Sequence, residues 1–234
     1  MAVDKFYPYF EIQSTFFMPS AKQQLDALTD IKQMMERSSR FISLSGLSGI
    51  AAGICALIGA YFAYGIIGPN RIDDVAKTKD IYEPARPETL VGFMGSALFM
   101  IAIITFVAAF VLAFTFTWLR SRKNNVPIWG VASRRLMWSV CVPMAAGGIY
   151  LLKLIEHGAY GLIAPGCLVF YGLALLNAGK YTLGEIKYLG YIQIALGLIS
   201  CWFIGYGLYF WAAGFGLMHI IYGVVMWVRY ERKS

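Results

Sequence analysis

Charge is what this sequence has least of. Asp, Glu, Lys and Arg make up 14% of its 234 residues against 59% apolar, and the mean hydropathy is +0.61. A soluble domain carries about a quarter charged residues, because its surface must stay wetted. The deficit is too large for an unusual core to explain. Apolar side chains must cover an outer surface, and lipid is the medium that permits it. Cysteine chemistry is missing as well. Cys55, Cys141, Cys167 and Cys201 each lie inside an apolar run, with no CxxC spacing and no cluster with histidine. A disulfide framework or zinc site is therefore not expected, and the four are read as small buried hydrophobes. No basic stretch leads into a short apolar one at the start, so no cleavable signal peptide is expected. Walker A, GxSxG, HExxH and GxGxxG patterns are absent. No catalytic residue, cofactor-binding residue or metal ligand is therefore assigned, and no cofactor is expected.

What is present is a series of long uncharged runs. Residues 41–67 give 27, 90–119 give 30, 136–152 give 17, 158–179 give 22 and 188–228 give 41. About 20 helical residues span a hydrocarbon core, at about 1.5 Å per residue. The last run would reach about 60 Å, so it must fold back once, with Gly205, Gly207, Gly214 and Gly216 marking the place. The expectation is an all-α membrane protein with six transmembrane helices over 41–67, 89–119, 136–155, 158–178, 188–208 and 211–229. Helix 2, at about 45 Å, should tilt strongly or project from the bilayer.

The net charge of +7 does not point to nucleic acid, because the basic residues flank the apolar runs. With the N-terminus inside, the cytoplasmic segments hold 15 Lys and Arg and the outer ones five, namely Arg71, Lys77, Lys79, Arg86 and Lys153. Both termini are thus expected in the cytoplasm of a bacterial inner membrane. Residues 1–40 form a polar N-terminal segment. Its first part is rich in aromatics without helical or strand periodicity, and residues 20–40 read as an amphipathic juxtamembrane helix. Ser20 and Gln23 fit a capping box there, and Leu25, Leu28, Ile31 and Met35 follow at three- and four-residue spacing. Residues 68–88 are a periplasmic loop.

Three features inside the runs bear on function. Ser45, Gly49 and Gly53, spaced by four with Ala52, Ala56 and Ala60 beside them, form a stripe that lets two helix backbones approach closely. The expected neighbour is helix 2 of the same chain, or helix 1 of a second copy. Second, no Asp, Glu, Lys or Arg lies within a run, which weighs against an ion-driven pump. Lys153 and Glu156 read as an ion pair at the outer end of helix 3. His219 is the exception at depth. The only other histidine is His157, which leaves haem or metal ligation without a facing partner. His219 is read as hydrogen-bonded to a neighbouring helix, with ligand contact as the alternative. Third, Asn177, Lys180, Tyr181 and Glu185 are the densest polar group, at the inner end of helix 4. Gly205-Tyr206-Gly207 matches a potassium-filter triplet but has neither the preceding Thr nor a pore helix, so it is read as a turn.

Arg40 stands nine residues before Gly49-Ile-Ala-Ala-Gly53, and Arg134 nine before Pro143-Met-Ala-Ala-Gly147. Tyr171-Gly172 is echoed by Tyr222-Gly223. Three tandem helical hairpins would produce both repeats; chance among small residues accounts for them equally. The stretches from Lys22 to Thr29 and from Arg40 to Gly49 resemble the opening of a group of small six-helix inner-membrane proteins of Bacteroidetes-type bacteria. Leu176-Asn-Ala-Gly-Lys-Tyr181 and residues 184–190 resemble later parts of the same pattern. That group has no established activity, so the resemblance implies a class and an inner-membrane address.

The first functional reading is a non-enzymatic membrane protein in a sensory or regulatory role. Besides the lipid bilayer, it would engage a protein partner through residues 20–40 or its inner loops, or a second copy through helix 1. A small-molecule transporter with His219, Asn177, Tyr206 and the helix-1 serines lining its cavity is the alternative, and an intramembrane enzyme comes third.

Overall fold

The computed structural model describes residues 45–68, 90–123 and 129–232, together with Leu25. The chain divides into two units, Met1–Arg37 and Ser38–Ser234, and the account below concerns the second. The expected helix over 20–40 lies outside the described residues except for Leu25, which is helical. The loop 68–88 lies outside them too, except for Gly68.

All regular structure among the described residues is helical. In chain order the helices are α1 (Gly46–Ile67), α2 (Leu90–Met94), α3 (Ala97–Lys123), α4 (Val131–Glu156), α5 (Tyr160–Ala178), α6 (Ile186–Ser200) and α7 (Gly207–Tyr230). Helices α1, α3, α4, α5 and α7 are long and apolar enough to cross a membrane, while α6 has 15 residues. The apolar run expected as one helix over 89–119 is interrupted at Gly95-Ser96. There the Ser96 Oγ accepts the Phe99 amide and starts α3 afresh, and α3 continues past the run to Lys123. α4 opens three residues before Arg134, because Ser133 Oγ accepts the Gly130 amide at its first turn. It closes where Gly158 adopts φ +74°, a conformation that favours glycine. The long last run folds back at residues 201–206, with Gly205 at φ +100°. Gly214 and Gly216, expected to mark that fold, sit inside α7 instead.

In water large apolar side chains fill the core; here most of them form the outside. Phe106, Phe110 and Phe114 stack along one exposed face of α3, and Trp202 is 79% exposed. Leu168, Leu175, Ile186, Leu189 and Met226 are buried around α5, α6 and α7. Elsewhere between the helices lie glycine, alanine, serine and threonine, because without a hydrophobic drive between helices the contacts come from close backbone approach. α1 and α7 show this most clearly. A Cβ at Gly46 would lie 2.4 Å from the Trp227 amide nitrogen, and one at Gly53 would lie 2.7 Å from the Gly216 carbonyl oxygen. The Gly49/Gly53 stripe therefore faces α7, not the next helix along the chain. The reason is that α7 carries its own glycines at 216 and 223, so the two backbones nest. α3 meets α1 further along, where Thr105 fills the space beside Gly59.

The helix directions follow from these contacts. α1 and α7 are antiparallel, with Gly46 beside Gly223 at one end and Tyr64 and Tyr209 ring centroids 6.2 Å apart towards the other. α5 and α7 are parallel. Gly207 abuts Ala164, Tyr171 meets His219, and Glu185 just beyond α5 meets Tyr230. α6 runs back from the end of α5 towards the start of α7, which it reaches through the turn at 201–206. α4 lies on α5, with Gly147 against Phe170. At the Ser45, Arg120, Tyr181 and Glu231 end lie nine of the ten described Lys and Arg residues; Lys153 is the one at the other end.

Candidate functional site

Midway along α7 the helix widens into a π-helical segment, Ala212–Met218. Such a turn opens the regular ladder, and it frequently marks functional positions. Glycine makes room for it. A Cβ at Gly214 would lie 2.4 Å from Leu168 and 2.5 Å from the Gln193 carboxamide oxygen, and one at Gly216 would lie 2.4 Å from Leu57. The Gly214 carbonyl consequently takes two side-chain donors. Gln193 Nε2 reaches it at 2.8 Å from α6, and His219 Nδ1 reaches it at 3.0 Å from one turn on. A carbonyl only accepts, so Nδ1 carries the imidazole proton. Nε2 is then an acceptor, and the Tyr171 hydroxyl of α5 donates to it at 2.8 Å. The ring is neutral with both nitrogens engaged. The 3.4 Å approach of Gln193 Nε2 to His219 Nδ1 sets two donors side by side and adds no bond. Phe215 stacks on His219 at 5.9 Å and meets Tyr171 at 5.0 Å, closing the cluster with aromatic walls.

His219 is 6% exposed and Gln193 0%. Burying an unpaired amide or hydroxyl costs about 1–3 kcal/mol by mutational measures, so these bonds decide whether the three helices can meet. Pairing is incomplete, however. The Gln193 carboxamide oxygen, the Ser200 hydroxyl and the Tyr222 hydroxyl are buried without a hydrogen-bond partner. Chemically, the cluster offers a neutral imidazole and spare acceptor capacity. It pairs that imidazole with the Tyr171 phenol, and the nitrogen a metal or haem iron would need is already committed to Tyr171.

Two further polar groups hold the basic end. Glu231, just past α7, accepts the Gly46 amide at 2.5 Å, the Ser45 hydroxyl at 3.2 Å and Arg120 of α3 at 2.8 Å. Ser45 makes no side-chain cap bond to its own helix, so a carboxylate from α7 caps α1, where the helix dipole favours an anion. Beside it, the Tyr230 hydroxyl donates to Glu185 and Arg229 lies 3.3 Å from the same oxygen. The Tyr230 bond first, and Arg229 with it, hold the Glu185 carboxyl below its usual range against partial burial.

The structure separates the residues the sequence put together. His219 is in the buried cluster. Tyr206 starts α7 at the far end, 13 residues or about 20 Å of helix away. Asn177 is half-buried near the basic end of α5. Lys180 is exposed, Tyr181 turns towards α4, and Glu185 joins Tyr230. His157 caps α4 at the opposite end from the basic residues. Gln193 is not singled out in the sequence, and Tyr171 enters there only through the repeat with Tyr222. A signal for Gln193 existed, since Asn177 and Gln193 are the only amide side chains inside the apolar runs.

Fold and site together define an all-helical membrane protein that crosses the bilayer several times around a small buried polar cluster. No family model, curated protein or solved structure matches the chain.

Proposed function

We propose that this is a six-span protein of a bacterial inner membrane, with both termini cytoplasmic, that acts without catalysis in a sensory or regulatory role. Six crossings are supported by the parallel course of α5 and α7, which requires α6 to recross the depth between them. The cytoplasmic assignment rests on the crowding of cations at the Glu231 end. The resemblance of residues 22–49 and 176–190 to small inner-membrane proteins agrees with that address. The tandem-hairpin reading is supported where α1 packs on α3 and α4 on α5.

The observation that carries the regulatory reading is the π-helical segment 212–218, held open by Gln193 and His219. A π turn and an α turn are two discrete arrangements. Exchanging them shifts everything beyond His219, including Tyr230 and Glu231, at the face where a protein partner would dock. An event in the polar cluster would thereby be read out at the cytoplasmic end. To test this, spin labels are placed at Lys123 and Arg232 in lipid nanodiscs. Gln193→Leu, which removes one support of the open turn, is expected to shift or broaden their distance distribution. An unchanged distribution in a folded variant overturns the reading.

The unpaired polar atoms of Gln193, Ser200 and Tyr222 favour a second reading, transport of a small polar solute. A pathway would admit water. Labelling of Ser200→Cys and Tyr222→Cys by a membrane-impermeant maleimide would support transport, and protection of both would count against it. Reporter fusion at Ser234 and labelling of Lys79→Cys test the orientation. A periplasmic C-terminus or cytoplasmic labelling of position 79 would overturn it.

A further inference from the structure

The described residues contain three carboxylates, and each is already engaged. Glu156 pairs with Lys153, Glu185 with Tyr230 and Arg229, and Glu231 with Arg120. Arg134 and Arg135, exposed on the first turns of α4, have no carboxylate among them. Both line an open cleft of about 520 Å³ with Val131, Trp138 and Ser139 of the same helix face and Tyr181 from the turn after α5. α4 contributes residues at i, i+3, i+4, i+7 and i+8, so one continuous strip of helix forms the wall. The cleft is amphipathic along its length. Two guanidiniums sit at the aqueous end, and Trp138, 65% exposed, lies one turn deeper. Beyond it along α4, Val142 and Ile149 remain exposed. A similar cleft beside Ser45 and Trp227 also contains Arg120 and Lys123, but there Glu231 already answers Arg120.

We infer that the Arg134/Arg135 cleft binds the phosphate of an acidic phospholipid. The guanidiniums would hold the headgroup, Trp138 would sit at headgroup depth, and the acyl chains would run along the apolar strip of α4. Arginine suits this because its planar fork meets two phosphate oxygens at once, and basic pockets between transmembrane helices bind such headgroups. The apolar continuation is what selects a lipid over a free phosphate. The inference rests on the reading that α4 lies in a bilayer.

Purified full-length protein is titrated with phosphatidylglycerol or with phosphatidylcholine of the same chain length, and retained lipid is counted by native mass spectrometry. Two basic residues near a membrane surface contribute about fivefold each, so phosphatidylglycerol should be held about thirtyfold more tightly at one site. Arg134→Gln/Arg135→Gln should bring it to the phosphatidylcholine level with an unchanged melting temperature. Arg122→Gln/Lys123→Gln, which removes exposed cations elsewhere, should leave the preference intact. Three results would each overturn the proposal: no lipid preference in the wild type, a preference surviving in the Arg134/Arg135 variant, or equal loss in both variants. Competition by glycerol phosphate at the lipid's own concentration would also overturn it in favour of a soluble anion. Release of the protein from membranes by alkaline carbonate is the separate result that would remove the bilayer reading itself.

Discussion

α3 and α7 differ in a way that reverses the rule for soluble proteins. α3 is the more apolar of the two, and Phe106, Phe110 and Phe114 point outward from it; only Thr105 and Ser121 are buried. α7 carries glycines, a histidine and a π-helical stretch, and it is the helix on which α1, α5 and α6 converge. In lipid there is no penalty for leaving phenylalanine outside, so hydropathy does not draw a helix inward. Small side chains and paired polar groups do. Depth of contact, and not apolarity, should therefore set where substitutions matter.

The sharpest way to break this comparison is steric. At Gly46 a Cβ would meet the backbone of residue 227, which cannot turn away as a side chain could. Gly46→Leu should destabilise by about 3 kcal/mol or more, seen as a fall in melting temperature or loss of monodisperse protein in detergent. Gly65, on the same helix with nothing near its Cβ, is the control. Gly65→Ala should be neutral or stabilising by up to about 1 kcal/mol. Phe110→Leu on α3 should move stability by less than about 0.5 kcal/mol. Equal losses at Gly46 and Phe110 would mean that α3 is as tightly held as α7.

A middle-sized effect should come from the polar cluster. His219→Leu leaves the Tyr171 hydroxyl without its acceptor and removes one of two donors to the Gly214 carbonyl. It should cost about 2–3 kcal/mol. His219→Gln keeps a donor and an acceptor and should cost about half as much. Thermal unfolding in one detergent would rank the two, and the reverse order would show that the ring's shape matters more than its bonds.

The smallest effect concerns the basic end and depends on pH. The folded Glu185 carboxyl titrates below its ordinary value of 4.5. Its contribution to stability is therefore present above that value and is lost as pH falls through the depressed one. The melting difference between wild type and Glu185→Gln should be small at pH 7 and should vanish once acidification passes the depressed value. A difference that grows on acidification would have the wrong sign for this carboxylate.

The sequence made the apolar runs legible because a charge in lipid is costly, and a run without one announces itself. The Gly49/Gly53 stripe was legible for the same kind of reason. Its partner was not, because a stripe specifies close approach and says nothing about which backbone approaches. The matching glycines at 216 and 223 lie seven apart in a stretch where Gly214 looked like part of a turn. His219 stood out as the only acid- or base-type side chain at depth in its run. Gln193 and Tyr171 stayed hidden because an amide and a phenol are tolerable in lipid when paired, so neither breaks an apolar run. The π-helical segment has no local sequence signature here. It is a tertiary outcome of fitting Leu57, Leu168 and Gln193 around one helix.

The bond from Glu231 to the Gly46 amide joins residues 185 apart in the chain. A ribosome adding about 5–20 residues per second needs roughly 10 to 40 s to cover that distance. Throughout that interval α1 is already made, with its leading amides uncapped and its glycine face uncovered. α1 thus waits for the end of α7 to complete it.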